Sequence, residues 1–341
     1  MSRNGLRKRE PPTDTAFLLT ITICMFMAMY ILAVIFLGDK GFSKPQTFFN
    51  LLNEYAALIV LSCGLSVVMI SGGIDISVGG VTALICMTCV VYLEDAGGGF
   101  LGAVLISLGI GLAFGVVHGF LVAYLKIQPF IVTLAGMFFA RGATALVNLD
   151  QVQAKNAAFT AVSRVRILIP GVGSFTKRGV FVPAYIEIGV IVALLIVILL
   201  FLMLKYTKFG RGLYAVGGNA QSALMLGINV SRTKFFAYVL TGLLAGVGGM
   251  LYFLHTGSGS VVQASGLEMD AIASSIIGGT LLSGGVGNII GTLFGVLIRG
   301  TIYTIVTAIG AQGPWWTGIT ISALLCFFIV LQSVITSRKK R

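Results

Sequence analysis

The sequence predicts an all-α polytopic membrane protein with about ten transmembrane helices. Of its 341 residues, 57% are hydrophobic and only 10% are charged, whereas soluble domains are about 25% charged. Apolar runs recur at the length of about 20 residues that a helix needs to cross the hydrocarbon core of a bilayer. The sequence shows no strict alternation over segments of about 10 residues, which is the pattern of a membrane β-barrel. These observations exclude an ordinary cytosolic enzyme.

Ten apolar runs are the predicted spans, and two of them, Val78–Leu93 and Ile272–Gly284, are short and interrupted by glycine. The first run follows a basic segment, but it is longer than the ~7–15-residue core of a signal peptide, and no small-x-small cleavage site follows it. We therefore expect a retained first helix. In order, the predicted spans are Thr15–Leu37, Tyr55–Ile70, Val78–Leu93, Phe100–Leu125, Pro129–Val147, Tyr185–Leu204, Phe235–Leu254, Ile272–Gly284, Ile289–Ile309 and Trp315–Val334.

The distribution of basic residues predicts that both termini lie in the cytoplasm. The net charge is +12, and with ten spans and an inner N-terminus the inner segments carry twice as many Lys and Arg residues as the outer segments. Cytoplasmic loops show this bias, so the charge does not indicate a nucleic-acid partner. The longest inner segment is residues 205–234. Arg141 and Arg299 fall within spans, where a charge faces the protein interior or a cavity, or snorkels to the surface.

Three short motifs recur in the same order in two parts of the chain, about residues 53–147 and 235–334; the whole chain, 1–341, is interpreted as one transmembrane domain. The predicted topology places the first motif at the inner side and its partner at the outer side. This predicts an inverted repeat with the substrate path between the halves; chance similarity among glycine-rich helices is the alternative. The matching pairs are Gly73–Ser77 with Gly266–Asp270, Gly111–Val116 with Gly291–Val296, and Gln128–Phe130 with Gly313–Trp315.

Two glycine series at intervals of four, Gly111–Gly119 and Gly287–Gly295, predict close packing of helix backbones within one subunit. The sequence has no Gly-x-x-x-x-Gly-Lys-Ser/Thr motif, so any ATP must be hydrolysed by a partner.

Cys86 and Cys89 have metal or redox spacing, but no second ligand pair accompanies them, which favours buried inert thiols. We expect this chain to bind no metal and no cofactor.

The segment Ser71–Gly80 places two glycine pairs around an acidic residue between two spans. Glycine allows the backbone to turn tightly, and non-helical backbone at membrane depth must be surrounded by protein or line a cavity. One interpretation is a gate or a surface that contacts a cytoplasmic partner; the other is a turn in which Asp75 caps the next helix. The residues assigned to this gate or turn, with their repeat counterparts, are Gly72, Gly73, Asp75, Ser77, Glu268 and Asp270.

The inner segment 205–234 contains a predicted short helix, Ala220–Leu226, which Asn219 is placed to cap and which ends at Gly227. A short amphipathic helix at the cytoplasmic side suits docking into a partner's groove, and a solvated loop on the lipid headgroups is the alternative. We expect Gly217 and Gly218 to require the positive φ angles that glycine permits.

Several motifs together carry a family resemblance that covers roughly residues 57–332. The segments that resemble the ribose-type permeases of bacterial sugar ABC importers, in the branched-chain amino acid/monosaccharide permease superfamily, are Gly72–Gly79, Tyr214–Asn219, Asp270–Ala273 and Ile277–Gly285. Thr133–Gly142 and Trp315–Thr317 are most similar to the permease subunits of galactofuranose importers. The basic start and the outer segment around Gln151–Arg166 depart from that pattern.

The resemblance implies a fold like that of type II ABC importers and a permease that does no covalent chemistry. It would move a monosaccharide, ribose- or galactofuranose-like, across the bacterial inner membrane by alternating access. The implied partners are a second permease subunit (a heterodimer favoured over a homodimer), an ATP-binding subunit with two cassettes that holds ATP and Mg, and a periplasmic or lipid-anchored sugar-binding protein. The residues that the resemblance assigns to ATPase coupling are Gly217, Gly218, Asn219, Ala220, Gln221, Ala223 and Leu226.

A path for a neutral, polyhydroxylated solute needs hydroxyl and amide groups, an aromatic face and few charges. Candidate path residues, each with ordinary packing as its alternative, are Asn53, Ser66, Thr133, Phe138, Arg141 and Tyr252. Import of another small polar solute such as a nucleoside is the second hypothesis. A proton-coupled secondary transporter is the third, with Asp75 and Glu54 as its available carboxylates. An intramembrane enzyme lacks a matched set of catalytic residues.

Overall fold

The computed structural model describes residues 14–175 and 180–310, together with residues 315–316, 318–323, 326–327 and 330. The predicted tenth span, Trp315–Val334, is therefore only partly covered by the described residues. Most of the Gly313–Trp315 repeat motif and the basic C-terminal cluster lie outside them. The described chain is mainly helical, with two small two-stranded sheets.

The described helices are named in chain order. They are α1 (Asp14–Leu37), α2 (Pro45–Ile70), α3 (Val78–Glu94), α4 (Phe100–Ala123), α5 (Pro129–Val147), α6 (Ala157–Ser163), α7 (Ile188–Tyr206), α8 (Lys208–Gly218), α9 (Ala220–Met225), α10 (Val230–Thr256), α11 (Leu267–Ile277) and α12 (Ile289–Ile309). Among the described residues, seven helices are long and apolar enough to cross a membrane, namely α1, α2, α4, α5, α7, α10 and α12, and α3 is a shorter apolar helix. The chain is therefore a polytopic helical membrane protein, as predicted.

Two predicted spans differ most from the structure in their boundaries. Helix α2 begins at Pro45 rather than at Tyr55. Proline has no backbone N–H, and it is favoured at the first helical position because an N–H there would have no partner within the helix. Helix α11 covers Leu267–Ile277 rather than Ile272–Gly284. The backbone after α11 leaves the helix because Gly279, Gly284 and Gly285 adopt positive φ angles of +90°, +84° and +75°.

The segment between α5 and α7 contains β structure that the all-α prediction did not include. Strands β2 (Arg166–Phe175) and β3 (Phe181–Glu187) form an antiparallel hairpin, and β1 (Val152–Gln153) pairs with β4 (Ser258–Gly259). The end of the hairpin is fixed to α2, because the Tyr185 amide donates to Oε1 of Gln46 across 2.9 Å.

Helix α2 lies at the centre of the core, and most of its residues from Leu51 onwards are buried. Helix α4 packs against α10 with almost no side chains between them: a Cβ on Gly111 would lie 2.3 Å from the carbonyl oxygen of Gly242. On α12, a Cβ on Gly295 would lie 2.0 Å from the carbonyl oxygen of Ser274 on α11. Both glycine series therefore pack helices within the chain, which confirms that prediction.

Candidate functional site: a mid-depth junction, an outer cavity and an inner glycine contact

The N-terminal turns of α3 and α11 meet halfway along the depth of the helices. A Cβ on Gly80 would lie 2.8 Å from the carbonyl oxygen of Met137, which is the ninth of the 19 residues of α5. A Cβ on Gly79 would lie 1.9 Å from Oε2 of Glu268, in the first turn of α11. The two repeat motifs, expected near opposite faces, therefore approach each other, because the non-helical segments before α3 and α11 both turn back into the protein.

Asp75 holds the turn between α2 and α3. Its Oδ1 accepts hydrogen bonds from the Ser77 amide at 2.9 Å and from the Ser77 hydroxyl at 2.6 Å, and Gly72 begins the turn with a φ of +80°. Asp75 therefore holds the turn through Ser77, the residue before α3, but it does not cap α3, whose N-terminus has no side-chain cap; Asp75 itself is almost fully buried.

His118 on α4 is the second buried ionisable group at this turn. Its Nδ1 lies 3.9 Å from Oδ2 of Asp75, a separation too long for a hydrogen bond. The hydrogen bonds that Asp75 accepts among the described residues are therefore the two from Ser77.

A cavity of about 440 Å³ lies between α2, α10, α11 and α12; we call it the outer cavity after the side that the predicted topology assigns to it. At its wall, Nη2 of Arg299 forms an ion pair with Oδ2 of Asp270, and the guanidinium carbon lies 5.5 Å from the centre of the Tyr55 ring. Arg299 is the eleventh of the 21 residues of α12, so this intramembrane arginine faces the protein interior. Polar, charged and aromatic lining residues are Glu54, Tyr55, Tyr252, His255, Thr256, Ser265, Asp270, Arg299 and Tyr303.

Of the six candidate path residues, Tyr252 lines the outer cavity. Asn53 accepts a hydrogen bond from the Glu187 amide at 2.8 Å, the Ser66 hydroxyl lies 2.7 Å from that of Thr292, and the Thr133 hydroxyl donates to its own helix at Pro129.

Phe138 is exposed on α5. Arg141 uses Nη1 to donate to the carbonyl oxygens of Val261 and Gln263, so it holds the segment before α11. The structure therefore brings Tyr252, Asp270 and Arg299 together and leaves the other candidates at separate places.

On the side that the predicted topology assigns to the cytoplasm, three chain segments meet through glycine. The Gly285 amide donates to the carbonyl oxygen of Ile70 at 2.9 Å, and a Cβ on Gly217 would lie 1.8 Å from that same oxygen. A Cβ on Gly284 would lie 2.8 Å from the Cα of Gly72. The end of α2, the end of α8 and the loop before α12 are thus in contact. We call this contact the glycine junction.

The expectation that Gly217 and Gly218 need positive φ angles is wrong. Neither is among the positive-φ glycines, and both are the last residues of helix α8. Gly217 is required for a different reason, the close approach of the Ile70 carbonyl, whereas a Cβ on Gly218 would meet no atom within 4 Å.

Helix α9 confirms the predicted short capped helix. Oδ1 of Asn219 accepts a hydrogen bond from the Ser222 amide at 2.9 Å, and the helix ends at Met225, with Gly227 at a φ of +81°. Ala223 is buried, whereas the side chains of Met225 and Leu226 are each 79% exposed. A groove of about 580 Å³ runs beside the helix. An exposed apolar surface of this kind suits a protein partner.

The sequence reasoning missed two parts of this arrangement. Gly284 and Gly285 were noted as motif residues but not as contacts of Ile70 and Gly72, because nothing local shows what a glycine packs against. Tyr55 was placed at the start of a span and not at a site. Its position next to the mid-span Arg299 depends on the packing of α2 against α12.

Comparisons with known proteins give consistent findings. The family model for the branched-chain amino acid transport system / permease component matches residues 47–329. The inner membrane ABC transporter permease protein YjfF of Escherichia coli (strain K12) is 39% identical over 93% of this chain and 92% of that protein. The fructose import permease protein FruG of Bifidobacterium longum (strain NCC 2705) is 34% identical, covering 84% of this chain and 82% of that protein. The ribose import permease protein RbsC of Bacillus subtilis (strain 168) is 34% identical over 92% of each chain. No solved structure gives a significant match.

Proposed function

Because the chain belongs to the family of branched-chain amino acid transport system permease components, we propose that it is a permease subunit of an ATP-driven importer that carries a monosaccharide into the cytoplasm. Relatives aligned over most of their length are import permeases for fructose and ribose. A chain of this kind is a transport subunit, and ATP hydrolysis belongs to a separate subunit. It therefore sits as a multi-pass protein in the inner membrane, and a galactofuranose- or ribose-like sugar is the proposed cargo.

The proposed topology has ten crossings, both termini in the cytoplasm and two inverted halves. Packing of the described helices supports the two halves, because α4 of the first half lies against α10 of the second and α12 of the second lies against α2 of the first. Each half also pairs an acid near a short helix with a base on the following long helix, Asp75 with His118 and Asp270 with Arg299. In such repeats the halves rock about a path between them.

The observation that carries the function is the connection of α9 to the glycine junction. Helix α9 presents Leu224, Met225 and Leu226 outward, and Gly217, three residues before α9, touches the end of α2. A movement of a docked ATPase would therefore reach α2 and the loop before α12 through rigid backbone contacts. The proposed assembly comprises a second permease subunit, with a heterodimer favoured, a two-cassette ATP-binding subunit that holds ATP and Mg, and a periplasmic or lipid-anchored sugar-binding protein.

Transport in proteoliposomes tests this function. The full complex, with its binding protein on the outer side and ATP on the cassette side, is supplied with labelled D-ribose, D-fructose or D-galactose. Uptake of at least one sugar should require ATP and stop with vanadate. Uptake that continues without ATP but collapses with the proton gradient would contradict the proposal and favour secondary transport; uptake of a nucleoside but no sugar would replace the substrate.

A further inference from the structure

We propose that the outer cavity is a monosaccharide-binding subsite within this chain, in which Arg299 and Asp270 bind sugar hydroxyls and the lining tyrosines Tyr252 and Tyr303 supply an aromatic face. The inference rests on the proposed import of a sugar and adds the place where the permease itself would hold it. The cavity, at about 440 Å³, falls within the range of small-molecule sites, about 300–1,000 Å³.

The position of the cavity suits a solute in transit. Its wall reaches Arg299 in the middle of α12 and Leu267 and Asp270 in the first turn of α11. Its outer end is formed by His255 and Thr256 at the end of α10. A molecule that entered from outside would therefore stop at the non-helical backbone before α11, and transporters often bind substrate at such broken helices.

The ion pair leaves hydrogen-bonding capacity unused. A guanidinium carries five N–H donors, and the described acceptor of Arg299 is Oδ2 of Asp270, while its Nε is buried without a partner among the described residues. The side chains of Arg299 and Asp270 remain 15% and 27% exposed. A pair that served only packing would be bidentate and sealed, because unsatisfied polar atoms inside a protein are costly.

The charges at the cavity wall disfavour an anion and suit a neutral ligand that can donate hydrogen bonds. Asp270 compensates Arg299, Glu187 outside the cavity pairs with His255 at 3.2 Å, and Glu54 adds a further carboxylate to the lining. Vicinal sugar hydroxyls can accept hydrogen bonds from the Arg299 guanidinium and donate hydrogen bonds to the Asp270 carboxylate at the same time. The charges of this ion pair then remain compensated by each other. Tyr55, Tyr252 and Tyr303 line the same cavity, and such a combination of aromatic faces with a few placed polar groups is characteristic of small-molecule sites.

Saturation-transfer NMR on the full chain in lipid nanodiscs tests the subsite with D-galactose, D-ribose and D-fructose as probes. The wild-type chain should transfer saturation to the ring protons of at least one sugar. Ser265→Trp fills the cavity from its exposed loop without touching the ion pair and should abolish the transfer. Gln151→Trp, on the exposed outer segment away from the cavity, is the matched control and should leave it unchanged. Asp270→Asn, which keeps the shape but not the charge, should weaken sugar affinity by about tenfold.

Two results would overturn the subsite. One is no transfer from the wild-type chain beyond that of empty nanodiscs at high sugar concentration; the other is the same transfer from Ser265→Trp as from wild type. Uptake by the assembled complex separates the two proposals. If ATP-dependent sugar uptake is intact in wild type and in Ser265→Trp, the subsite is wrong and the importer function stands. If wild-type uptake of sugar is absent, the function itself fails.

Discussion

The end of α8 and the end of α2 are in backbone contact at Gly217 and Ile70, where a Cβ on residue 217 would lie 1.8 Å from the Ile70 carbonyl oxygen. The same oxygen accepts a hydrogen bond from the Gly285 amide. Backbone contacts transmit displacement better than long side chains, because no rotamer change absorbs it. The end of α8, the end of α2 and the loop before α12 are thus joined at one point.

Gly217→Ala should impair coupling, whereas Gly218→Ala should not. The first substitution forces α8 away from Ile70, and overpacking of this kind costs about 1–3 kcal/mol; the second adds a methyl group into open space. We expect Gly217→Ala to lower sugar uptake per ATP hydrolysed in proteoliposomes, with Gly218→Ala close to wild type. Equal coupling ratios in the two variants, at equal amounts of folded complex by size-exclusion chromatography, would contradict transmission through this junction.

Met225→Asp should weaken binding of the ATP-binding subunit. Met225 is exposed on α9, and an aspartate in an apolar contact loses that contact and buries a charge. We expect Kd to rise by about tenfold or more, as at an interface hot spot. Tyr206→Asp is the control. Tyr206 is the exposed last residue of α7, and its replacement should leave Kd unchanged. If both variants bind equally well, α9 is not the docking helix.

Local sequence signals account for helices α5 and α12, whose predicted ends match at both sides. Pro129 is the first residue of α5, and Asn288 caps α12 by accepting a hydrogen bond from the Ile290 amide. Both residues mark a helix start by their type alone, without knowledge of distant contacts. The β2–β3 hairpin was not predicted, because its strands pair with each other across residues 166–187 and are fixed by Gln46 far away in sequence.

The candidate site was predictable only in part for the same reason. Asp75, Asn219 and Asp270 stand in recognisable local motifs, and each has a defined partner in the structure. The contacts of Gly217 with Ile70 and of Arg299 with Tyr55 join segments more than a hundred residues apart. A single sequence contains no information on such pairs beyond the types of residue involved.

Cysteine labelling tests the topology. Lys155 lies on the segment between α5 and α7, and Gln221 lies on α9; both side chains are exposed. In a background that lacks the exposed Cys24 and Cys326, Lys155→Cys should react with a membrane-impermeant maleimide on intact cells. Gln221→Cys should react only after permeabilisation. The reverse pattern would place the termini outside. If the background without an introduced cysteine reacted with the maleimide, the remaining native cysteines would have to be removed before the topology could be tested.

Asp75→Ala should destabilise the protein more than Asp75→Asn. Asparagine keeps an oxygen that can accept from the Ser77 amide and hydroxyl, whereas alanine leaves these buried donors without an acceptor; an unsatisfied buried donor costs about 1–3 kcal/mol. Thermal unfolding in detergent at neutral pH should therefore rank wild type above Asp75→Asn and Asp75→Ala lowest. Equal unfolding temperatures for the two variants would show that these hydrogen bonds contribute nothing.

Asp75→Asn also separates the two transport mechanisms. Asparagine has no carboxyl proton to exchange but keeps an oxygen that can accept from the Ser77 amide and hydroxyl, so an ATP-driven importer should retain sugar uptake in this variant. Loss of uptake in a fully folded Asp75→Asn complex would instead assign a transported or exchanged proton to Asp75, as a proton-coupled mechanism requires.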